Sequence, residues 1–560
     1  MNATQIAPDN PNSPSYRLAL LVFLAAFVGI RIAGMLNNPL LEDHDSAGYL
    51  HQIGVFATFD GDHINNALTP DILPLYPLTG ALLNSVGLPE ESAARLTSFS
   101  ASILTAALIV LVAVRLGSWP AGAIAAMLMA FEPMMARYSY AVLTEPMYTA
   151  LVMLGIWLMV RGARAPPSVP GAIALGTIFG LAFLCRSEGI LFLAGIPLLQ
   201  WCLTLAASRQ DIRRQLRPLA VWTAVFGTVF ALLAAPQVWF VSDKMNQFAI
   251  NGRQAWSIIE SARTGQGDEE QLRGLDYSPA ITNLDYLQSS PKDLAKLAHT
   301  GSRRSLAQLI ATNLDTLQRR TFPQLLGLAV FAFAPLGLLF LLRTKQFSEA
   351  FILTWFLGMA VALPLMYNVV PSHLLVSTPP LFLLAAFGLL GAGRETAQLA
   401  ETGRWRQWTV PALLLAVTAF TVVSNARPVF AMIARPDLIN PTADPASDPA
   451  RYARFLPILK AACAANPDEV VLVRKRYVTT LSRCTRLVMP YATFDQLRTY
   501  AAANKATLMF VESEFDAMRP FYRELVEARQ PPAGFELLAS QDNPDGRRQF
   551  LYRFHLQDAP

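Results

Sequence analysis

The chain has 560 residues, is 53% hydrophobic and only 15% charged, and has a mean hydropathy of +0.35. Soluble domains run at roughly a quarter charged, so this composition excludes an ordinary water-soluble protein. The net charge of +5 does not indicate nucleic acid, because the Arg and Lys residues gather in short loops between apolar runs. A polytopic membrane protein remains.

Residues 1–16 are polar and lack a basic n-region, so they read as a cytoplasmic N-terminus and not as a signal peptide. The first apolar run, near 17–36, has no small-residue cleavage site behind it and reads as the first span. Hydropathy places further spans near 92–114, 118–135, 142–160, 169–185, 189–206, 218–240, 322–342, 348–368, 373–391 and 409–425. That makes about eleven, each near the ~20 residues that cross a bilayer core. Arg115, then Arg161 and Arg164, then Arg209, Arg213, Arg214 and Arg217 fall in alternate short loops. Arg343 and Lys345, then Arg394, Arg404 and Arg406, continue the alternation. These loops share one face, which the positive-inside rule makes cytoplasmic, and an odd number of spans puts the C-terminus outside.

The outer face then carries the loops at 37–91 and 241–321 and the tail at 426–560, around a membrane domain spanning 17–425. "DLAKLAHTGSRRSLAQLIATNLDTLQRR" in the middle loop reads as amphipathic helix, suited to lie on a membrane or roof a cavity. Beyond a Pro/Asp/Ala-rich linker, "EVVLVR", "TRLVMP" and "ATLMFVE" are short β-rich runs separated by helical stretches. They predict a small extracytoplasmic α/β domain. Cys463 and Cys484 lie in it; they read either as a disulfide in an oxidising compartment or as two buried thiols.

Charged residues at span ends cost several kcal/mol unless paired or hydrated, so each is a candidate for function. Glu42, Asp43, His44 and Asp45 follow span one in "LLEDHDSAGYL", with Arg31 just before them. Glu132 and Arg137 bracket a turn, Glu145 opens span four in "LTEPMY", and Arg186 and Glu188 sit in "CRSEGILFL". By the orientation above they all gather at the outer surface. Duller readings exist: Glu145–Pro146 as a helix start, Arg186–Glu188 as a loop ion pair, Arg31 snorkelling to headgroups, Asp45 as a helix cap. Three prolines in "TPDILPLYPLTGALL" stiffen a re-entry into the membrane, with Tyr76 at headgroup depth.

Together these segments resemble the GT-C membrane glycosyltransferases of the protein-mannosyltransferase and aminoarabinose-transferase type (families 39 and 83), bacterial galacturonosyl-type members included. The resemblance lies in the acid followed by "xxxYL", the "P-L-Y-P" re-entry, "LTEPMYTALVMLGIWLMVRG", "GLAFLCRSEGILFL" and "PSHLLVSTPPLFLLAAFGLL", in that order over residues 17–392. It implies an α-helical GT-C fold and an inverting transfer of a sugar from a polyprenyl-phosphate donor. The acceptor is a lipid such as lipid A, an envelope glycan or a protein. Asp45 matches the family's general base, four residues before Tyr49 and on the same helical face. Arg186 is the first candidate for the donor phosphate, ahead of Arg31 and Arg137. Glu145, Glu188, Tyr76 and His373 complete the candidate donor site. Many relatives follow the base with Glu where Ser46 stands here, which makes Asp43 or Glu42 the candidate second acid. Ser372 and His373 replace an Arg-Tyr pair. No obligatory cofactor is expected; a divalent cation on His44, His63 and neighbouring acids is the alternative. The implied location is a bacterial inner membrane with a periplasmic site. A lipid-linked-sugar flippase or a non-catalytic assembly subunit with a degenerate fold are the competing readings. The flippase would need polar mid-membrane helices and an internal repeat, and neither is evident in the sequence.

Overall fold

The computed structural model describes residues 27–36, 44–61, 72–207, 212–244, 306–366 and 371–399. In the C-terminal part it describes 452–466, 469–473, 476–489, 494–513, 525–526, 534–543 and 548–554, and elsewhere 248–250 and a few single positions. The molecule is mostly helical. In chain order come α1 (Phe27–Leu36), α2 (His44–Ala57), α3 (Leu75–Ser85) and α4 (Glu90–Arg115). Then follow α5 (Trp119–Ala130), α6 (Pro133–Tyr138), α7 (Glu145–Gly162) and α8 (Val169–Cys185). A 3-10 turn at Ser187–Ile190 leads into α9 (Leu191–Ala207) and α10 (Ile212–Lys244). The second half holds α11 (Leu306–Thr316), α12 (Phe322–Arg343), α13 (Phe347–Met366), a 3-10 turn at Pro371–Ser377, and α14 (Thr378–Leu399).

Local sequence explains where these helices begin. Ser118 and Ser168 accept from the backbone N–H three residues on, and Pro120 and Pro170 supply the fixed φ that suits a first turn. Small residues recur along α4 at Ala94, Ser98, Ala101, Ser102, Thr105 and Ala106, all buried, and this row lets α4 and α7 approach closely. Between α12 and α14 the approach is closer still. A Cβ on Gly337 would run into the Leu384 carbonyl, and one on Gly388 into the Phe333 carbonyl. Only glycine fits at those two positions. Outward-facing Leu232, Trp239, Leu336 and Leu339 are left exposed, as lipid-facing side chains are.

Among the described residues, four helical stretches are long and apolar enough to cross a bilayer: Glu90–Arg115, Ser187–Ala207, Arg213–Asp243 and Ser372–Gly393. The helix expected over 169–185 has those same bounds. The single span expected at 118–135 is instead two pieces. Helix α5 stops at Ala130, and Glu132 restarts the chain by accepting from the N–H groups of Met134 (3.1 Å) and Met135, with Pro133 opening α6. A carboxylate capping a proline-led first turn stabilises the new helix more than a continued one. The span expected at 409–425, the linker, and most of the 241–321 loop lie outside the described residues; α11 is its described helix.

The C-terminal part builds a five-stranded sheet. Its elements are α15 (Leu456–Ala465), β1 (Val470–Val473), α16 (Arg476–Ser482), β2 (Thr485–Val488), α17 (Phe494–Ala503), β3 (Ala506–Glu512), β4 (Phe535–Asp542) and β5 (Arg548–Phe554). The strand order is β2-β1-β3-β5-β4, with β1 parallel to β2 and β3, and β5 antiparallel to β3 and β4. Strand β3 is central and almost wholly buried, which its unbroken run "ATLMFVE" requires. Cys463 and Cys484 form a disulfide that ties α15 to the start of β2. This sheet domain reaches the helical part through α16, which packs against α2, and the Thr480 hydroxyl donates to the Ala47 carbonyl at 3.4 Å.

Candidate active site

Helix α2 begins at His44 with Asp45 in its first turn, partly exposed, and Ser46, Ala47, Tyr49 and Leu50 buried behind it. The side chain of His44 and the whole of Glu42, Asp43 and His63 lie outside the described residues.

Tyr49 lies one turn after Asp45. Its ring meets that of Tyr76 edge-on at 5.4 Å, and its hydroxyl is 3.5 Å from Thr144 Oγ1. Tyr76, on α3, is fully buried; its hydroxyl donates to the Ala94 carbonyl at 2.9 Å and meets Ser98 Oγ at 3.0 Å. Burial pushes its phenol above the ordinary tyrosine range, so it stays a neutral donor. Ser98 in turn donates to the Leu143 carbonyl at 3.2 Å, which holds the strand of chain leading into α7.

Arg186 sits at the end of α8 in extended backbone, and three groups hold its guanidinium. One terminal nitrogen, Nη1, lies 2.6 Å from Glu145 Oε1 and donates to Thr144 Oγ1 at 3.4 Å. The other, Nη2, donates to Glu188 Oε1 at 3.0 Å. All three charged side chains are mostly buried, with 12% exposure for Arg186, 10% for Glu145 and 18% for Glu188. Two carboxylates therefore flank one guanidinium, fixing its plane while leaving the group short of positive charge. Glu145 Oε2 and, one turn on, Thr149 Oγ1 are buried with no hydrogen-bond partner among the described residues. Such atoms are costly to leave unmet and suit hydroxyl-bearing ligands. Glu188 and His373 line one pocket together with Tyr148, Phe192, Phe356 and Val376, so an apolar crevice opens beside the charged group.

Of the sequence candidates, Tyr76, Glu145, Arg186 and Glu188 thus join one network, His373 borders it through the pocket, and Asp45 stands one turn from its Tyr49 end. Arg31 does not join it. It is fully buried, with its guanidinium 3.4 Å from the centre of the Phe27 ring, and donates to the carbonyls of Phe27, Met129 and Ala130 and to Ser102 Oγ. Its N–H groups satisfy the open carbonyl end of α5, which gives it a packing role apart from the network. Arg137 lies on α6, partly exposed. Among the described residues no group of three or more His, Cys, Asp or Glu is placed to hold a metal ion. Thr144 and Ser98 are the hubs that sequence reasoning passed over. Thr144 precedes Glu-Pro and looks like a helix cap, yet it makes no capping bond, so its hydroxyl is left for Tyr49 and Arg186.

Residues 70–240, which carry α3 to α10, match the family model described as dolichyl-phosphate-mannose-protein mannosyltransferase. No curated protein matches the chain by sequence. Among solved structures, ArnT from Cupriavidus metallidurans bound to undecaprenyl phosphate is similar at 14% identity and a TM-score of 0.58, over 95% of this chain and 97% of that one. The Archaeoglobus fulgidus oligosaccharyltransferase AglB, in complex with an inhibitory peptide and a dolichol-phosphate, is similar at 12% identity and a TM-score of 0.53. That match covers 96% of this chain and 75% of the archaeal one. The A. fulgidus oligosaccharyltransferase complex with zinc and sulfate is similar at 13% identity and a TM-score of 0.57, over 97% and 74% of the two chains. The chain therefore has the fold of the GT-C membrane glycosyltransferases.

Proposed function

We propose that the chain is an inverting glycosyltransferase that moves a sugar from a polyprenyl-phosphate carrier to an acceptor hydroxyl outside the cytoplasm. The observation that carries this reading is the linkage of Asp45's helix, through Tyr49 and Thr144, to the Glu145–Arg186–Glu188 group beside an apolar crevice. A crevice of that kind suits an isoprenoid, and a buried guanidinium beside it suits a phosphate. The similar ArnT and AglB structures hold undecaprenyl phosphate and dolichol-phosphate, which supports a lipid-phosphate donor here.

In this reading Asp45 takes the proton from the acceptor hydroxyl, and the oxygen attacks the anomeric carbon from the face opposite the phosphate. The bond from that carbon to the phosphate oxygen breaks, and the electron pair leaves with the polyprenyl phosphate. Arg186, oriented by Glu145 and Glu188, meets the developing charge, with His373 at the crevice wall. Glu145 Oε2 and Thr149 Oγ1 take sugar hydroxyls. The zinc and sulfate of the archaeal neighbour make a divalent cation a proposal too, with His44, Asp43 and Asp45, and His63 nearby, as its ligands. No step above is routed through it.

The same reading places the protein in a bacterial inner membrane with about eleven spans, the N-terminus inside and the sheet domain in the periplasm. The Cys463–Cys484 disulfide supports an oxidising side for that domain. The test is to incubate the purified protein with a panel of polyprenyl-phosphate sugars and follow donor consumption and product by mass spectrometry. The Asp45→Asn variant should remain folded and lose transfer. Near-normal turnover in that variant would sink the role of Asp45, and flipping without glycosidic bond formation would favour a transporter.

A further inference from the structure

At the far end of α4 and α7 from the candidate site, the two helices end side by side, and Leu111, Val114, Arg115, Trp157 and Arg161 line an open groove between them. By helical rise, Arg161 is about 24 Å along α7 from Glu145, so the groove is separate from the charged network. The Arg161 guanidinium lies over the Trp157 ring at 5.4 Å, and Arg115 Nη2 donates to the Arg161 carbonyl at 3.5 Å. A guanidinium held over an indole ring still has N–H groups to offer an anion. Both arginines are exposed, and among the described residues no carboxylate pairs with either. Other arginines at this end are neutralised: Arg164 by Glu349 at 3.0 Å and Arg343 by Glu395 at 3.1 Å. Among the described residues, two arginines at this end are thus balanced and an adjacent pair is left without an acid. Leu111 and Val114 face outward beside them, 45% and 41% exposed, on a helix long enough to cross a bilayer. Two cations, an amphipathic ring and an apolar flank at the end of such a helix match a phosphodiester with an acyl chain below it.

We propose that this groove binds an anionic phospholipid, with Arg115 and Arg161 on the headgroup phosphate and Leu111, Val114 and Trp157 along the first part of an acyl chain. The full-length protein is exchanged into nanodiscs of phosphatidylcholine with or without phosphatidylglycerol, extracted in mild detergent, and its co-purifying lipids are counted by native mass spectrometry. The wild type should retain phosphatidylglycerol over phosphatidylcholine, and the Arg115→Gln/Arg161→Gln pair should lower that retention roughly tenfold. Arg164→Gln, which removes an arginine already paired with Glu349, should leave it unchanged. Equal retention of the two lipids by the wild type overturns the proposal without any variant, as does unchanged retention in the double variant. Inorganic phosphate added to delipidated protein separates the sources. If it protects against heat as well as phosphatidylglycerol does, the groove is a free-phosphate site and the lipid assignment fails.

Discussion

The hydroxyl of Thr480 donates to the main-chain carbonyl of Ala47, 3.4 Å away and 433 residues earlier in the chain. That contact joins the sheet domain to the first turn of α2, two residues past Asp45. The helix that makes it, α16, ends at Ser482, beside the Cys463–Cys484 bridge. Opening the bridge should therefore loosen the hold on α2 as well as the sheet domain. For Cys463→Ser/Cys484→Ser we expect a loss of about 3 kcal/mol for a loop of this size. It is read as a lowered melting temperature, with transfer rate falling more than donor KM rises. Thr480→Val, which removes one hydrogen bond, should cost about 1 kcal/mol and show the same skew in smaller measure. Unchanged transfer in both would remove the sheet domain from any part in holding α2.

Among the described residues Arg186 forms ion pairs with both Glu145 and Glu188, at 2.6 and 3.0 Å. Arg186→Ala would strand two mostly buried carboxylates, and breaking a buried pair this way costs about 3–5 kcal/mol. Arg186→Lys keeps the charge but cannot span both acids with a planar fork. We expect the Ala variant to unfold at markedly lower temperature, and the Lys variant to fold with transfer reduced by at least an order of magnitude. Wild-type rates in the Lys variant would show that only the charge matters.

Arg31 should behave in the opposite way. Its N–H groups close the end of α5 and its guanidinium covers Phe27, so Arg31→Met removes several hydrogen bonds to buried carbonyls. The expected loss is about 2–4 kcal/mol of stability, with unchanged kcat and KM in the fraction that folds. A selective rise in donor KM would return Arg31 to the donor site.

A methyl group at Gly388 would meet the Phe333 carbonyl, and backbone cannot rotate aside as a side chain can. Gly388→Ala should force α12 and α14 apart at a cost of about 1–3 kcal/mol. The same change at Gly358, where nothing lies within 4 Å of the added atom, should be close to neutral. Thermal melts of the two variants side by side check the contrast.

Much of this architecture could be read from the sequence because bilayer helices announce themselves one at a time. A run such as 169–185 needs only its own apolar residues, a serine cap and a proline to be found. Strands β1, β2 and β3 were legible for the same local reason, whereas β4 and β5 were not read as strands. What escaped was whatever depends on two segments meeting. Arg31 and Arg186 look alike in sequence, each a lone arginine at a span end. One is spent on the carbonyl end of α5 and the other on two carboxylates; Glu188 gives Arg186 a local signal, but Glu145 and the α5 carbonyls come from other segments. Thr144 was hidden likewise, since a threonine before Glu-Pro reads as a cap until Tyr49 and Arg186 are brought to it. The break after Ala130 had a local signal in Glu132–Pro133, masked by the apolar residues on both sides.

That break has a consequence for depth. At 12 residues, α5 rises only about 18 Å, well short of a hydrocarbon layer about 30 Å thick. Its far end closes on a buried arginine, and α6 begins three residues later. The α5–α6 break therefore makes a short helix where the hydropathy alone reads a full span. On the proposed reading, a lipid-borne phosphate would come to the Glu145–Arg186–Glu188 group sideways from within the leaflet, and the acceptor from the water on the other side of it.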